Sequence, residues 1–256
     1  MKKIIRILIL VLCIGVLVYN ANYVYKWYNE NKSASTETDD AISIFEDEEE
    51  TVEKELAELA KKAKTEKQKK ELAKKEAELR GKSLNKVQKK YKNVVGFLRV
   101  SGTKVKYFVT QYKNNSFYLT HSLDGKYNSA GNPFLDYRNK LDDQALVIYG
   151  HNRLDNSQFG NLKNVRGKPN TKITFTTKDG TNQYKIFSTY IIKNESYFNR
   201  VSFNNKYDMF LRTITKRSQY NYNVKVTDKD KILTLSTCYG ASRLNKRFVV
   251  HAKLLK

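Results

Sequence analysis

The sequence predicts a mainly β chain: a closed or nearly closed barrel, with N-terminal helices ahead of it and one helix just before a strand that holds a cysteine. Three observations carry this. From Val94 onward, short runs rich in β-branched and aromatic residues recur at 95–100, 107–110, 145–149, 173–176 and 184–192. Lys231-Ile-Leu-Thr-Leu-Ser-Thr-Cys-Tyr-Gly240 alternates with period two and ends on Cys238 and a small-residue turn. Ahead of all of these, residues 51–80 contain no glycine and no proline, a composition that favours helix.

The chain has 256 residues, enough for one substantial domain with extensions but tight for two. It opens on Lys2, Lys3 and Arg6 around an apolar run that extends from Ile4 to Val24, followed by Tyr25, Trp27 and Tyr28. That is about the 20 residues needed to cross a bilayer, with an aromatic belt at the far end. A cleaved signal peptide is the rival reading, but no small-x-small site follows the apolar core at the usual distance. An uncleaved single-pass anchor is therefore expected, with the basic N-terminus in the cytoplasm and the remainder outside. The formal net charge of +22 calls for a polyanionic neighbour. Export removes nucleic acid as that partner and leaves wall polymers or anionic lipid.

Residues 29–50 are polar and then acidic, and read as a solvated linker. Residues 51–80, made of Lys, Glu, Ala and Leu, read as a helical stalk whose leucines hold no heptad. Gly81 is expected to stop that helix, and Leu84, Val87, Gln88 and Tyr91 give a second, short amphipathic helix. The expected division is an anchor at 1–28, a charged linker and stalk at 29–82 and a folded domain at 83–256. Within that domain Lys178-Asp-Gly-Thr181 is a hairpin turn. Tyr207, Phe210, Leu211 and Ile214 stand at helical spacing within 205–217, a helix placed to roof the cysteine from one side. The last strand, Arg247-Phe-Val-Val-His-Ala-Lys-Leu-Leu255, follows the cysteine strand after so short a link that an antiparallel hairpin is expected. Arg247 should then lie beside Cys238.

The two cysteines are Cys13, inside the apolar run, and Cys238. An exported lone thiol beside a cation is a candidate nucleophile. Such a nucleophile needs a proton carrier, and there are three histidines. His151 leaves the 145–149 strand through Gly150 into a loop, where functional side chains collect. His121 lies in a loop beside Ser122 and Asp124 as a local hydrogen-bonding residue, and His251 inside the final strand reads as structural. The histidines are not at metal-ligand spacing, so no metal or other cofactor is expected.

These residues resemble the sortase family, and specifically its class B. Thr234-Leu-Ser-Thr-Cys238 is similar to the family's TLxTC signature, Tyr149-Gly-His-Asn152 to its histidine motif and Arg247-Phe-Val-Val250 to its arginine strand. Further similarity runs through residues 94–103, 117–121 and 130–139, so that the resemblance covers roughly 84–256. It implies a sortase-type barrel and a cysteine transpeptidase joining secreted proteins to the cell wall of a Gram-positive bacterium. It implies that Cys238 attacks the threonine carbonyl of an NPxTx-like C-terminal sorting motif and that His151 moves the proton. Arg247, with Arg243 as runner-up, would position the motif and stabilise the oxyanion. Ser236, Thr237 and Tyr239 would line the motif's groove, and Tyr239 would offer its backbone N–H to the oxyanion. The implied acceptor is a peptidoglycan or lipid-linked precursor amine. Three rivals remain: a pilus-polymerising sortase, a papain-like wall peptidase and a noncatalytic wall-binding module. The first is opposed by the absence of proline and of an Asp-Pro-aromatic lid in 29–84. The second is opposed by a histidine that precedes the cysteine.

Overall fold

The computed structural model describes residues 2–62, 65–193, 195, 197–240 and 244–255. Eight strands close into one barrel: β1 (Val94–Val100), β2 (Lys106–Thr110), β3 (Phe134–Leu135), β4 (Ala145–Tyr149), β5 (Lys172–Thr177), β6 (Gly180–Lys193), β7 (Ile232–Tyr239) and β8 (Lys246–Leu254). Their order around the barrel is β1-β2-β3-β4-β7-β8-β6-β5. β4 and β7 lie parallel, with Tyr149 opposite Ser236, while β8 returns antiparallel to β7 and β6. The expected strands are all present. β3 was not expected, because two residues are too few to show a period.

The period-two pattern of β7 sorts its side chains between two cores. Leu233 and Leu235 point into the barrel, against Leu98, Ile148, Phe175 and Val250. Ile232 points outward, into a cluster capped by α3 (Tyr207–Lys216) through Phe210, Leu211 and Ile214. α3 therefore packs at the Ala145 and Ile232 end of the strands. It does not roof the cysteine, which sits at the opposite end of β7. His251 is fully buried beneath this layer, with Tyr190 Oη at 2.8 Å and Thr234 Oγ1 at 2.9 Å.

The N-terminal region departs most from expectation. α1 (Lys2–Lys62) is one unbroken helix, so residues 29–50 are not a solvated linker. Ala41, Ile42, Phe45 and Val52 recur at helical spacing on one face of it and are buried. The acidic composition hides that stripe, and packing rather than propensity stabilises the helix. Phe45 sits against Phe97 and Phe108 of the barrel wall at 4.8 and 5.6 Å between ring centroids. Glu46 pairs with Arg99 at 2.9 Å and Lys106 at 2.8 Å, Glu49 with Arg99 at 3.1 Å, and Glu48 with Lys86. Burial of a phenylalanine is worth about 2–3 kcal/mol, whereas a half-exposed ion pair is worth about 0–1 kcal/mol, so the aromatic contact dominates the docking.

Gly81 does not end a helix. α2 (Glu66–Lys90) starts at a capping box between Thr65 and Gln68 and runs through Gly81 to Lys90, absorbing the expected short helix. A Cβ at Gly81 would lie 2.5 Å from the Lys178 carbonyl oxygen, so glycine is required there for α2 to reach the β5–β6 turn.

Phe45→Ala is expected to cost about 3–5 kcal/mol in chemical denaturation, against less than about 1 kcal/mol for Glu46→Gln. The two substitutions should also differ in hydrogen exchange across 29–50. A second expectation concerns acid. Burial, with Arg217 nearby, holds the pKa of His251 down at about 3. The unfolded chain therefore binds a proton near pH 6.5 that the folded chain refuses. The stability that His251 contributes is complete above about pH 6.5 and is lost as pH falls toward 3. Melting temperature followed from pH 7 to 4 should drop less steeply in His251→Asn than in the parent chain.

Candidate active site

The β7–β8 register sets Cys238 directly opposite Arg247. Both project from the same face of the hairpin, beside its turn, and Arg247 Nη1 donates to Cys238 Sγ. A guanidinium so placed can donate to negative charge developing on an attacked carbonyl. Arg243 lies outside the described residues.

Cys238 opens on a cleft of ≈ 560 Å³, lined among others by Asn152, Leu154, Phe159, Thr237 and Tyr239. Thr237 is buried on the barrel side of the strand, and its hydroxyl has no hydrogen-bond partner among the described residues. Ser236 is not among the cleft residues. It is buried in the ladder, and its carbonyl accepts the Gly150 N–H at 3.2 Å, which ties the cysteine strand to the exit of β4.

That exit carries His151. A Cβ on Gly150 would lie 2.8 Å from the Phe159 ring, so glycine lets the chain turn past that ring. The His151 N–H donates to Gln158 Oε1 at 3.0 Å, and the His151 carbonyl accepts the Phe159 N–H at 3.0 Å. Gln158 is itself buried and donates to the carbonyls of Ala130 at 2.5 Å and Gly131 at 3.0 Å. The histidine turn is thereby pinned to a different loop of the barrel. The ring is oriented by Leu119, whose carbonyl lies 2.8 Å from Nε2. A carbonyl only accepts, so Nε2 carries hydrogen, and in the neutral ring Nδ1 is the free base. Burial lowers the His151 pKa; the bond to the Leu119 carbonyl opposes that, and the charges of Arg153 and Arg247 add to the lowering. His151 is therefore neutral at pH 7.

Of the other two histidines, His251 is held in the core by Tyr190 and Thr234, and His121 has a local partner. His121 Nδ1 lies 2.7 Å from the Phe117 carbonyl, and its ring stacks on Phe117 at 3.8 Å. Sequence reasoning missed Leu119 and Gln158. Leu119 acts through a backbone atom, which has no residue signature, and Gln158 carries no chemistry of its own. A further network lies behind the histidine strand. Tyr149 Oη donates to Asp136 at 2.9 Å, and Arg138 clamps the same carboxylate with two bonds of 2.8 Å. Asp136 is fully buried; burial opposes its ionisation, but Arg138 outweighs that and holds it below the usual carboxylate range. Among the described residues, no cluster of three His, Cys, Asp or Glu side chains is placed to hold a metal ion.

A family model described as the sortase domain matches residues 98–255. Sortase B of Staphylococcus aureus is 36% identical over 179 residues, covering 66% of this chain and 73% of that protein. Sortase B of Listeria monocytogenes is 35% identical over 181 residues, covering 67% and 74%. The solved structure of a Staphylococcus aureus sortase B–substrate complex superposes with a TM-score of 0.63 at 35% identity, covering 68% of this chain and 85% of that one.

Gln158→Ala is expected to loosen the histidine turn and admit water. Because burial is what lowers the His151 pKa, its NMR titration should then move up toward 6.5. An unchanged titration would show that Gln158 does not hold the ring in place.

Proposed function

The chain belongs to the sortase family of cysteine transpeptidases, in its class B, and on that premise we propose that Cys238, His151 and Arg247 carry the reaction. In this reading Cys238 attacks the threonine carbonyl of an NPxTx-like sorting motif, and the carbonyl oxygen takes up negative charge. Arg247 and the backbone N–H of Tyr239 receive that charge. Since His151 is neutral at pH 7, it enters as base and takes the thiol proton on Nδ1. It passes that proton to the departing amine as the peptide C–N bond breaks, leaving a thioester on Cys238. A peptidoglycan or lipid-linked amine then attacks the thioester, His151 accepts its proton, and the thiolate leaves. The observation that carries the reading is the Arg247 guanidinium on the Cys238 sulfur.

Thr237 and Tyr239 supply the groove for the motif, Thr237 through the strand backbone because its hydroxyl is buried. Ser236 acts there through the strand rather than by contact. The partners are secreted proteins bearing a C-terminal sorting signal. The apolar start of α1, long enough to cross a membrane and exposed along its length, supports an anchor at residues 1–28 with the catalytic unit of 83–256 outside the cell. The charged segment 29–52 is then docked on the barrel instead of trailing from it.

The test is the full chain in detergent, with a panel of sorting-motif peptides and an amine acceptor, followed by mass spectrometry. A thioacyl adduct on Cys238 that passes to the amine is expected. Cys238→Ala should abolish it while leaving the fold intact, and Arg247→Lys should lower kcat/KM roughly 100-fold through loss of the planar fork. The acid limb of kcat/KM should fall below pH 6.5, because His151 must be neutral to begin. Turnover that survives Cys238→Ala would exclude the cysteine mechanism.

A further inference from the structure

The docking of α1 fixes how far the barrel stands from the end of the apolar run. Asn31 touches Arg153 through its side-chain oxygen, the Glu30 carbonyl accepts from Asn128 Nδ2 at 2.8 Å, and Glu30 Oε2 accepts the Ser129 N–H at 3.2 Å. Asn31 lies seven residues beyond Val24 on an unbroken helix, a rise of roughly 10 Å. A headgroup layer is about 5–8 Å deep on each side of the hydrocarbon. The first barrel contacts therefore fall at the outer edge of that layer, just past the exposed Trp27 and Tyr28.

The barrel presents two large apolar side chains at that level. Tyr127 is exposed and lines a groove with Asn29 and Lys32 of α1. Leu154, next to Arg153, is fully exposed. It is held out by a tight turn: the Asn156 N–H donates to the Arg153 carbonyl at 3.1 Å, and Asp155 Oδ1 accepts both the Ser157 N–H at 2.9 Å and its hydroxyl at 2.6 Å. Asn156 takes a φ of 62° to close it. A turn so constrained that displays a bare leucine calls for an apolar neighbour. The charges around it are mixed, with Lys32, Lys126 and Arg153 against Glu30, Asp124 and Asp155, so apolar contact rather than net charge decides the partner.

We propose that Leu154 and Tyr127 form a second membrane contact, by which the barrel rests on the lipid layer around its own anchor. The inference rests on the reading of residues 1–28 as that anchor. Leu154 also lines the Cys238 cleft, so the mouth of the cleft then opens along the bilayer surface.

The experiment uses the full chain in nanodiscs of phosphatidylcholine and phosphatidylglycerol, with and without bromine on the upper acyl chain. Trp27 is the one tryptophan of the chain and reports the anchor. The double variant Trp27→Phe, Leu154→Trp moves the reporter to the turn, where full exposure makes the exchange harmless to folding. Quenching of both reporters, with about a twofold loss of emission at position 154, is the expected result. Quenching of Trp27 but not of the position 154 reporter overturns the membrane contact and leaves the anchor standing. Quenching of neither removes the anchor reading itself. A position 154 reporter that is blind to bromine but shifts in emission on adding a sorting-motif peptide assigns Leu154 to the substrate, which also overturns the proposal.

Discussion

The register between β7 and β8 is the constraint on which the rest of the site depends. Side chains alternate along a strand, so a slip of one residue would carry Arg247 to the barrel interior and bring Phe248 to the cysteine. The two barrel cores forbid that slip. Leu233, Leu235, Phe248 and Val250 are buried inside, while Ile232 and Val249 are buried outside under α3. The Cys238–Arg247 pair at one end of the hairpin is thus held by apolar packing along its whole length. The helix expected to cover the cysteine serves this purpose from the other end of the strands.

The histidine is held by different means. β4 delivers it parallel to β7, so both strands finish at the same end of the barrel. Its ring orientation then depends on hydrogen bonds to groups distant in sequence, the Leu119 carbonyl and the Gln158 amide. These bonds choose the tautomer, and burial with two nearby arginines chooses the charge state. Burial and the two arginines outweigh the Leu119 carbonyl, which alone would favour the imidazolium.

The N-terminal helix shows how a strongly basic chain uses its few acidic residues. Glu46, Glu48 and Glu49 meet Arg99, Lys106 and Lys86, but the aromatic contact of Phe45 supplies most of the adhesion. With the helix fixed, the loop that follows His151 acquires a fixed height above the apolar run, which a flexible linker would not give it.

What the sequence determined by itself was whatever is local or nearly so. Strand periods located the barrel and the cysteine at a strand end, and the short link after Tyr239 was enough to set Arg247 opposite Cys238. Gly150 after an apolar run singled out His151 from its two competitors, whose partners here are local or buried. Other features followed only from the tertiary structure. The 29–50 segment reads as linker by composition, and only a barrel wall of Phe97 and Phe108 turns its sparse stripe into a buried helix face. Gly81 reads as a stop, and only the Lys178 carbonyl explains why a glycine is kept inside a helix. The partner of His151 lies 32 residues away through a backbone atom. Periodicity and propensity record what a residue's neighbours in sequence do, and contacts between distant segments leave no such record until the chain has closed.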